Sequence, residues 1–131
     1  MVRLQKLPTL SVIIPTLNEA IHLPLLLSDL NKKQNNFDLT IVDGGSTDLT
    51  ISIAKIQGIN VIKSPKANRG YQLDYGASNA KADWLLFLHA DSRLEPSWVN
   101  SLSRIIKNKT SENYAWYFDF KIKKNHLQFR F

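Results

Sequence analysis

His89 and Asp91 stand one residue apart where an apolar run ends, in the stretch LLFLHADSRLEP at residues 85–96. In extended backbone, residues two apart point to the same side, so this pair can present an imidazole and a carboxylate to one divalent cation bridging a diphosphate. Asp91 is the firm ligand of the two. His89 has three roles open to it: metal ligand, hydrogen bonder to a phosphate or sugar, or a residue satisfied within its own loop. Three other loops carry groups with chemical potential. In DGGSTD, at 43–48, Asp43 closes an apolar run and Gly44 and Gly45 let the backbone turn tightly and approach a ligand. Ser46 and Asp48 suit the start of a following helix. A carboxylate there is a poor phosphate cradle but a good acceptor for a base or ribose donor, which favours nucleoside recognition over a plain turn. In PTLNEA, at 15–20, Pro15 fixes the exit from a strand, and Thr16, Asn18 and Glu19 offer a hydroxyl, an amide and a carboxylate. Taken alone they suit ordinary helix capping. In SPKANRGYQLDYGASNA, at 64–80, Lys66 and Arg69 precede a helical pattern whose free N–H groups would suit a diphosphate, and two solvated basic residues explain them equally well.

The elements that must position these loops are legible as hydrophobic patterns. Apolar runs at Leu10–Ile14, Phe37–Val42, Ile59–Lys63 and Trp84–Leu88 read as buried strands. Between them, Leu23, Leu26, Leu27 and Leu30 recur at helical spacing, with Pro24 tolerated in the first turn. Ile51 and Ala54 suggest a short second helix. Leu73, Ala77 and Ala80 predict the buried face of a third, which Gly76 weakens slightly, and Trp98, Leu102 and Ile105 that of a fourth. Strands alternating with helices imply an α/β domain with a mainly parallel sheet covered on both faces. Ligands of such sheets sit beyond the carboxyl ends of the strands, where all four loops fall.

Composition narrows the classes. The chain of 131 residues suits a single domain spanning 1–131, with 44% apolar and 21% charged residues. With no cysteine, disulfides and thiolate metal sites are excluded, so a metal would have oxygen and imidazole ligands, and a reducing cytoplasm fits. The first twenty residues make a poor signal peptide, and no apolar run approaches the roughly 20 residues of a membrane span. The net charge of +6 suits an anionic partner, whether nucleotide diphosphate, nucleic acid or lipid surface, although a solvated basic face accounts for it too.

Taken in order, SVIIPTLNEA, TIVDGGSTDLT and NRGYQLDYGASNAKADWLLFLHAD resemble the family 2 glycosyltransferases of GT-A fold, over residues 9 to about 122. The run FLHADSRLEP is similar to the small bacterial branch of that family found beside radical-SAM and selenium-related genes. The resemblance implies a Rossmann-like, GT-A nucleotide-sugar domain lacking its C-terminal part, binding a nucleotide-sugar, usually a UDP-sugar, with divalent Mn or Mg. It implies that Pro15, Thr16, Asn18 and Glu19, with Asp43, Gly44, Gly45 and Ser46, hold base and ribose. Arg69 lies near the diphosphate, Gln72 joins the substrate-binding residues, and His89-Ala90-Asp91 stands for the metal triplet, with Asp91 the metal ligand. Transfer is expected with inversion, to an unspecified acceptor deprotonated by a carboxylate beyond residue 131. His89 replaces the triplet's first aspartate, a departure that implies either a lower metal affinity or a preference for Mn over the harder Mg.

The last stretch alternates cleanly, Tyr114, Trp116, Phe118, Phe120 and Ile122 against Ala115, Tyr117, Asp119, Lys121 and Lys123, and predicts a half-buried strand. The chain then stops with Leu127, Phe129 and Phe131 still needing a surface, which reads as an incomplete protein. That ending motivates an alternative: a truncated, non-catalytic nucleotide-sugar-binding module without acceptor site or catalytic base. An unpaired aromatic edge would also favour a homo-oligomer. A basic surface allows peripheral contact with an anionic membrane from the cytoplasmic side. No nucleic-acid motif is present, so a nucleic-acid partner ranks last.

Overall fold

The structure, a computed structural model, describes residues 9–32 and 35–119. Four strands, β1 (Leu10–Thr16), β2 (Asp38–Asp43), β3 (Asn60–Lys63) and β4 (Trp84–Phe87), alternate with α1 (Leu23–Leu30), α2 (Thr50–Ile56), α3 (Arg69–Asn79) and α4 (Trp98–Lys107). A short 3-10 helix follows at Lys109–Asn113. The strands form one parallel sheet in the order β3-β2-β1-β4. The expected α/β architecture is therefore observed. The chain steps outward from β1 to β2 and β3, then returns to place β4 on the other side of β1. Strand order reverses there, so the crevice beyond the carboxyl ends of β1 and β4 is the switch point where such sheets take ligands.

β1 and β2 form where apolar side chains are buried on both faces, whereas β4 buries Leu86 on one face and leaves Leu85 and Phe87 exposed on the other. Val12, Ile14, Leu39, Ile41, Leu86 and Leu88 share one face with the α1 leucines, Ala54 of α2 and Trp98 of α4. Phe37 meets the Trp98 ring edge-on at 6.0 Å. Leu23, Leu26 and Leu30 are fully buried, each worth about 1.5–3 kcal/mol. A helix of eight residues is marginal by itself, so packing against the sheet sustains α1. It ends at Asn31, whose positive φ of 47° stops the helix. β1 runs two residues beyond the expected Ile14, through Pro15 to Thr16, since the pairing Pro15↔Val42 and Thr16↔Asp43 continues the ladder past the missing N–H of the proline.

Two expectations need correction. The buried residues of α3 are Gln72 and Gly76, while Leu73, Ala77 and Ala80 are half-buried. The helix lies against the opposite face of the sheet, where a Cβ on Gly76 would stand 2.5 Å from Ile13 Cγ2 and 2.9 Å from Val42 Cγ2. Close approach, rather than apolar content, chose the contact face. The alternating terminal segment also forms no strand across residues 114–119. Tyr114, Trp116, Tyr117 and Phe118 are exposed, and the Trp116 indole donates to Ser111 O at 3.2 Å. Alternation supplies a face to bury but not a partner strand. Phe120 and Ile122, with Leu127, Phe129 and Phe131, lie outside the described residues. Among the described residues no helix is long and apolar enough to cross a membrane.

Candidate functional site

Register brings the loops together. Thr16 pairs with Asp43, and Asp43 with Lys63, so the PTLNEA, DGGSTD and arginine-bearing loops leave the sheet side by side. On the other side of β1, Leu88 N donates to Ile13 O at 3.1 Å and carries the ladder up to His89.

Asp43 organises the centre. It is fully buried, and each carboxylate oxygen accepts two hydrogen bonds: Oδ1 from the Thr16 and Ser46 hydroxyls, Oδ2 from Gly45 N at 2.9 Å and Ser46 N at 2.8 Å. Those four bonds use the acceptor capacity of the group. Burial pushes its pKa up, but the bonds from Ser46, Thr16 and Gly45 outweigh burial and hold it below the usual carboxylate range. Ser46 thus closes the turn on Asp43. It does not cap α2, whose N-terminal residue is Leu49 with no side-chain cap. Gly45, at φ 105°, takes a conformation that side chains disfavour.

Asn18 locks the first loop to the second. Its own φ is 54°, its amide oxygen accepts from Thr47 N at 2.8 Å and Asp48 N at 3.3 Å, and its N–H donates to Ser46 Oγ at 2.8 Å. Glu19 N donates to Thr50 Oγ1 at 2.8 Å and Ala20 N to Asp48 Oδ2 at 3.1 Å. The Glu19 carboxylate stands 3.2 Å from the His22 ring. Pro15 and Thr16 are buried beneath this seam. Gly44 donates its N–H to Thr16 O at 2.9 Å, and a Cβ there would meet Ala67 Cα and the Gln72 amide, all at 3.2 Å. Gln72 donates to Thr16 O and Val42 O at 2.9 and 2.8 Å, tying α3 to the tips of β1 and β2.

Charged groups line the rim. Arg69 opens α3 and is exposed, beside the cap that Asn68 makes by accepting from Tyr71 N. Lys66 is exposed with its ammonium 5.2 Å from the centre of the Tyr71 ring. Beyond β4, His89 is half-buried, Ala90 buried and Asp91 exposed, in a turn where Ser92 N donates to His89 O at 3.0 Å. Neither the His89 ring nor the Asp91 carboxylate has a hydrogen bond or ion pair among the described residues.

The chain past Asp91 is pinned by a pair that sequence reasoning missed. Arg93 grips Asp29 of α1 through Nε at 2.7 Å and Nη2 at 3.0 Å, Leu94 N donates to the same carboxylate at 2.9 Å, and Trp98 Nε1 donates to Asp29 O at 3.1 Å. The partners are 64 residues apart, and no local pattern announces them. The Arg93 hydrogen bond holds the Asp29 carboxyl below its ordinary range, against a smaller opposing effect of burial. Asp29 and Asp43 both have folded pKa values below their unfolded ones. Their stabilisation is therefore complete above the ordinary carboxylate range and lost as pH falls through the folded values. Thermal melts from pH 7 downward should show Tm falling below about pH 4, and Asp29→Asn should flatten part of that fall. A Tm independent of pH there would contradict both assignments.

Among the described residues no three His, Cys, Asp or Glu side chains converge on a metal position. The donor set still fits a divalent cation of one kind. Asp91 is a free oxygen ligand, and cations that keep water and diphosphate oxygens need only one or two carboxylates from the protein.

Comparison with known proteins agrees with this geometry. The sequence model of Glycosyl transferase family 2 matches residues 11–127. The chain is similar to a PGL/p-HBAD biosynthesis glycosyltransferase of Mycobacterium bovis, 40% identical over 94 residues that make up 66% of this chain and 37% of that protein. Among solved structures it is similar to S. aureus TarS 1-349, with a TM-score of 0.68 and 23% identity over 75% of this chain and 32% of that one. It is also similar to glucosyl-3-phosphoglycerate synthase from Mycobacterium tuberculosis in complex with Mn2+ and UDP-glucose, with a TM-score of 0.66 and 23% identity over 78% of this chain and 40% of that one. The two structural likenesses bear out the GT-A fold. The chain spans about a third of the length of the curated relative, at 37%.

Proposed function

This chain belongs to glycosyl transferase family 2, and from that premise we propose that it binds the nucleotide-sugar donor, of UDP type, for transfer of the sugar to an acceptor with inversion. The observation that carries the reading is Asp91: an exposed carboxylate without a hydrogen-bond partner among the described residues, beside His89, at the strand-order reversal between β1 and β4. We assign donor binding to Pro15, Thr16, Asn18 and Glu19, to Asp43, Gly44, Gly45 and Ser46, and to Arg69, Gln72, His89 and Ala90, with Asp91 as the metal ligand.

Within that set the geometry separates two kinds of work. Thr16, Asp43 and Ser46 are bonded to one another, and Asn18 Oδ1 accepts from Thr47 N and Asp48 N, so these four act by holding the loops rigid. Arg69 presents an exposed guanidinium to the diphosphate. Asp91, with His89 beside it, would hold Mn or Mg, and the chemistry such a cation supplies is neutralisation of charge on the diphosphate leaving group. UDP-glucose and Mn2+ in the similar synthase support this choice of ligand and ion. The acceptor and the base that deprotonates it are assigned to no residue of this chain. The net charge of +6 suits contact with an anionic membrane surface. Within the family we place the chain in the branch beside radical-SAM and selenium-related genes, on FLHADSRLEP alone; the neighbouring genes test that.

The test is a calorimetric titration of UDP with and without Mn, on the wild-type chain and on Asp91→Ala. Mn should tighten UDP binding to the wild type and leave Asp91→Ala at its metal-free affinity. The variant should melt with the wild type, because Asp91 is exposed and supports nothing in the fold. Equal tightening in both proteins would remove Asp91 from the site.

A further inference from the structure

The carboxamide of Gln72 is 4% exposed, and its two ends differ. Nε2 donates to Thr16 O at 2.9 Å and to Val42 O at 2.8 Å. Only an amino group can serve two converging carbonyls, so these contacts fix which way the amide faces. Oε1 is left on the other end. It accepts no hydrogen bond among the described residues. It is not sealed either, since no fully buried side-chain oxygen or nitrogen there lacks a partner. A buried, rigidly held acceptor thus keeps a small exposed area at the carboxyl edge of the sheet.

Two neighbours give this oxygen a purpose. Gly44 lies against it, with a Cβ at that position 3.2 Å from Oε1, so the missing side chain keeps the approach clear. Asp43, the more obvious acceptor for a nucleoside, has both oxygens occupied by Thr16, Gly45 and Ser46. Resting on the nucleotide-sugar reading above, we propose that Gln72 Oε1, and not the Asp43 carboxylate, accepts the hydrogen bond that recognises the nucleoside. The donor is one N–H or O–H group, from the imide of the base or the 2′-hydroxyl of the ribose. Asp43 contributes by fixing Gly44 and Gly45, and Gln72 reads the ligand across them.

The test compares UDP, N3-methyl-UDP and 2′-deoxy-UDP on the wild type and on Gln72→Met, which keeps the side-chain length without the amide. One analogue should bind the wild type at least about tenfold more weakly than UDP, the methylated base if the imide is read and the deoxy sugar if the ribose is. That gap should close in Gln72→Met. Equal binding of all three to the wild type, or a gap that persists in Gln72→Met, would overturn the proposal while leaving UDP binding intact. Should Gln72→Met fail to fold, the side-chain amide resonances of Gln72 in the 15N-labelled wild type decide. They should shift on saturation with UDP, and unshifted resonances overturn the assignment. Absence of any UDP binding sinks the donor-binding reading itself.

Discussion

Asp43→Ala should lower the unfolding free energy by about 3 kcal/mol or more, since each donor stranded by losing its acceptor costs about 1–3 kcal/mol. The Thr16 and Ser46 hydroxyls and the Gly45 and Ser46 N–H groups all bond to this carboxylate. Thr16 is 1% exposed, so water cannot replace its partner without opening the strand tips. The total stays below four full penalties because Gly45 is exposed and Ser46 only half-buried, and water can reach both. Against a typical domain stability of about 5–15 kcal/mol, the loss is large.

Asp43→Asn separates charge from connectivity. One oxygen remains to accept, and hydroxyls can rotate to accept from the new amino group, whereas backbone N–H groups cannot. The cost should therefore be smaller than for alanine, about 1–2 kcal/mol. The asparagine variant should also lose the share of acid sensitivity that Asp43 supplies. Urea unfolding of the three proteins at pH 7 and at about pH 3, below the ordinary carboxylate range, measures both effects. A cost under about 1 kcal/mol for alanine would mean the loop is organised by Asn18 and its contacts instead.

The strands were legible because parallel strands buried on both faces must be apolar almost throughout, as VII of β1 and TIV of β2 are. That the loops gather at one edge followed from the alternation of strand and helix. What sits inside them was not legible. Asn18 reaches Thr47 across 29 residues, and Arg93 reaches Asp29 across 64; one sequence contains no signal of such pairings. The same blindness gave Asp43 a free carboxylate in the sequence reading, when Thr16 in another strand takes one of its lone pairs. For α3 the failure has another cause. Apolar periodicity selects the face with the most hydrocarbon, but at close range a helix is seated by what it lacks.

Gly76 is that missing side chain, and Gly76→Ala should destabilise the protein even though alanine is the better helix former. Propensity favours the variant by about 1 kcal/mol. The added Cβ would stand 2.5 Å from Ile13 Cγ2 and 2.9 Å from Val42 Cγ2, separations no real packing tolerates. Both neighbours are fully buried and β-branched, on adjacent strands in the middle of the sheet, so neither can rotate away. The remaining escape is for α3 to lift, which costs the contact it was making. Overpacking of this kind costs about 1–3 kcal/mol, and two clashes place it in the upper part of that range, leaving a net loss of about 1–2 kcal/mol. A cycle with Ile13→Ala isolates the clash: Gly76→Ala should be less harmful in that background, with a coupling of at least about 0.5 kcal/mol. Because α3 also carries Arg69 and holds Gln72 against Thr16 O and Val42 O, UDP binding should weaken in the single variant and recover in part in the double. Were Gly76→Ala to stabilise the chain by the full propensity difference, α3 would have to lie farther from the sheet, and Gln72 could not reach both strand tips.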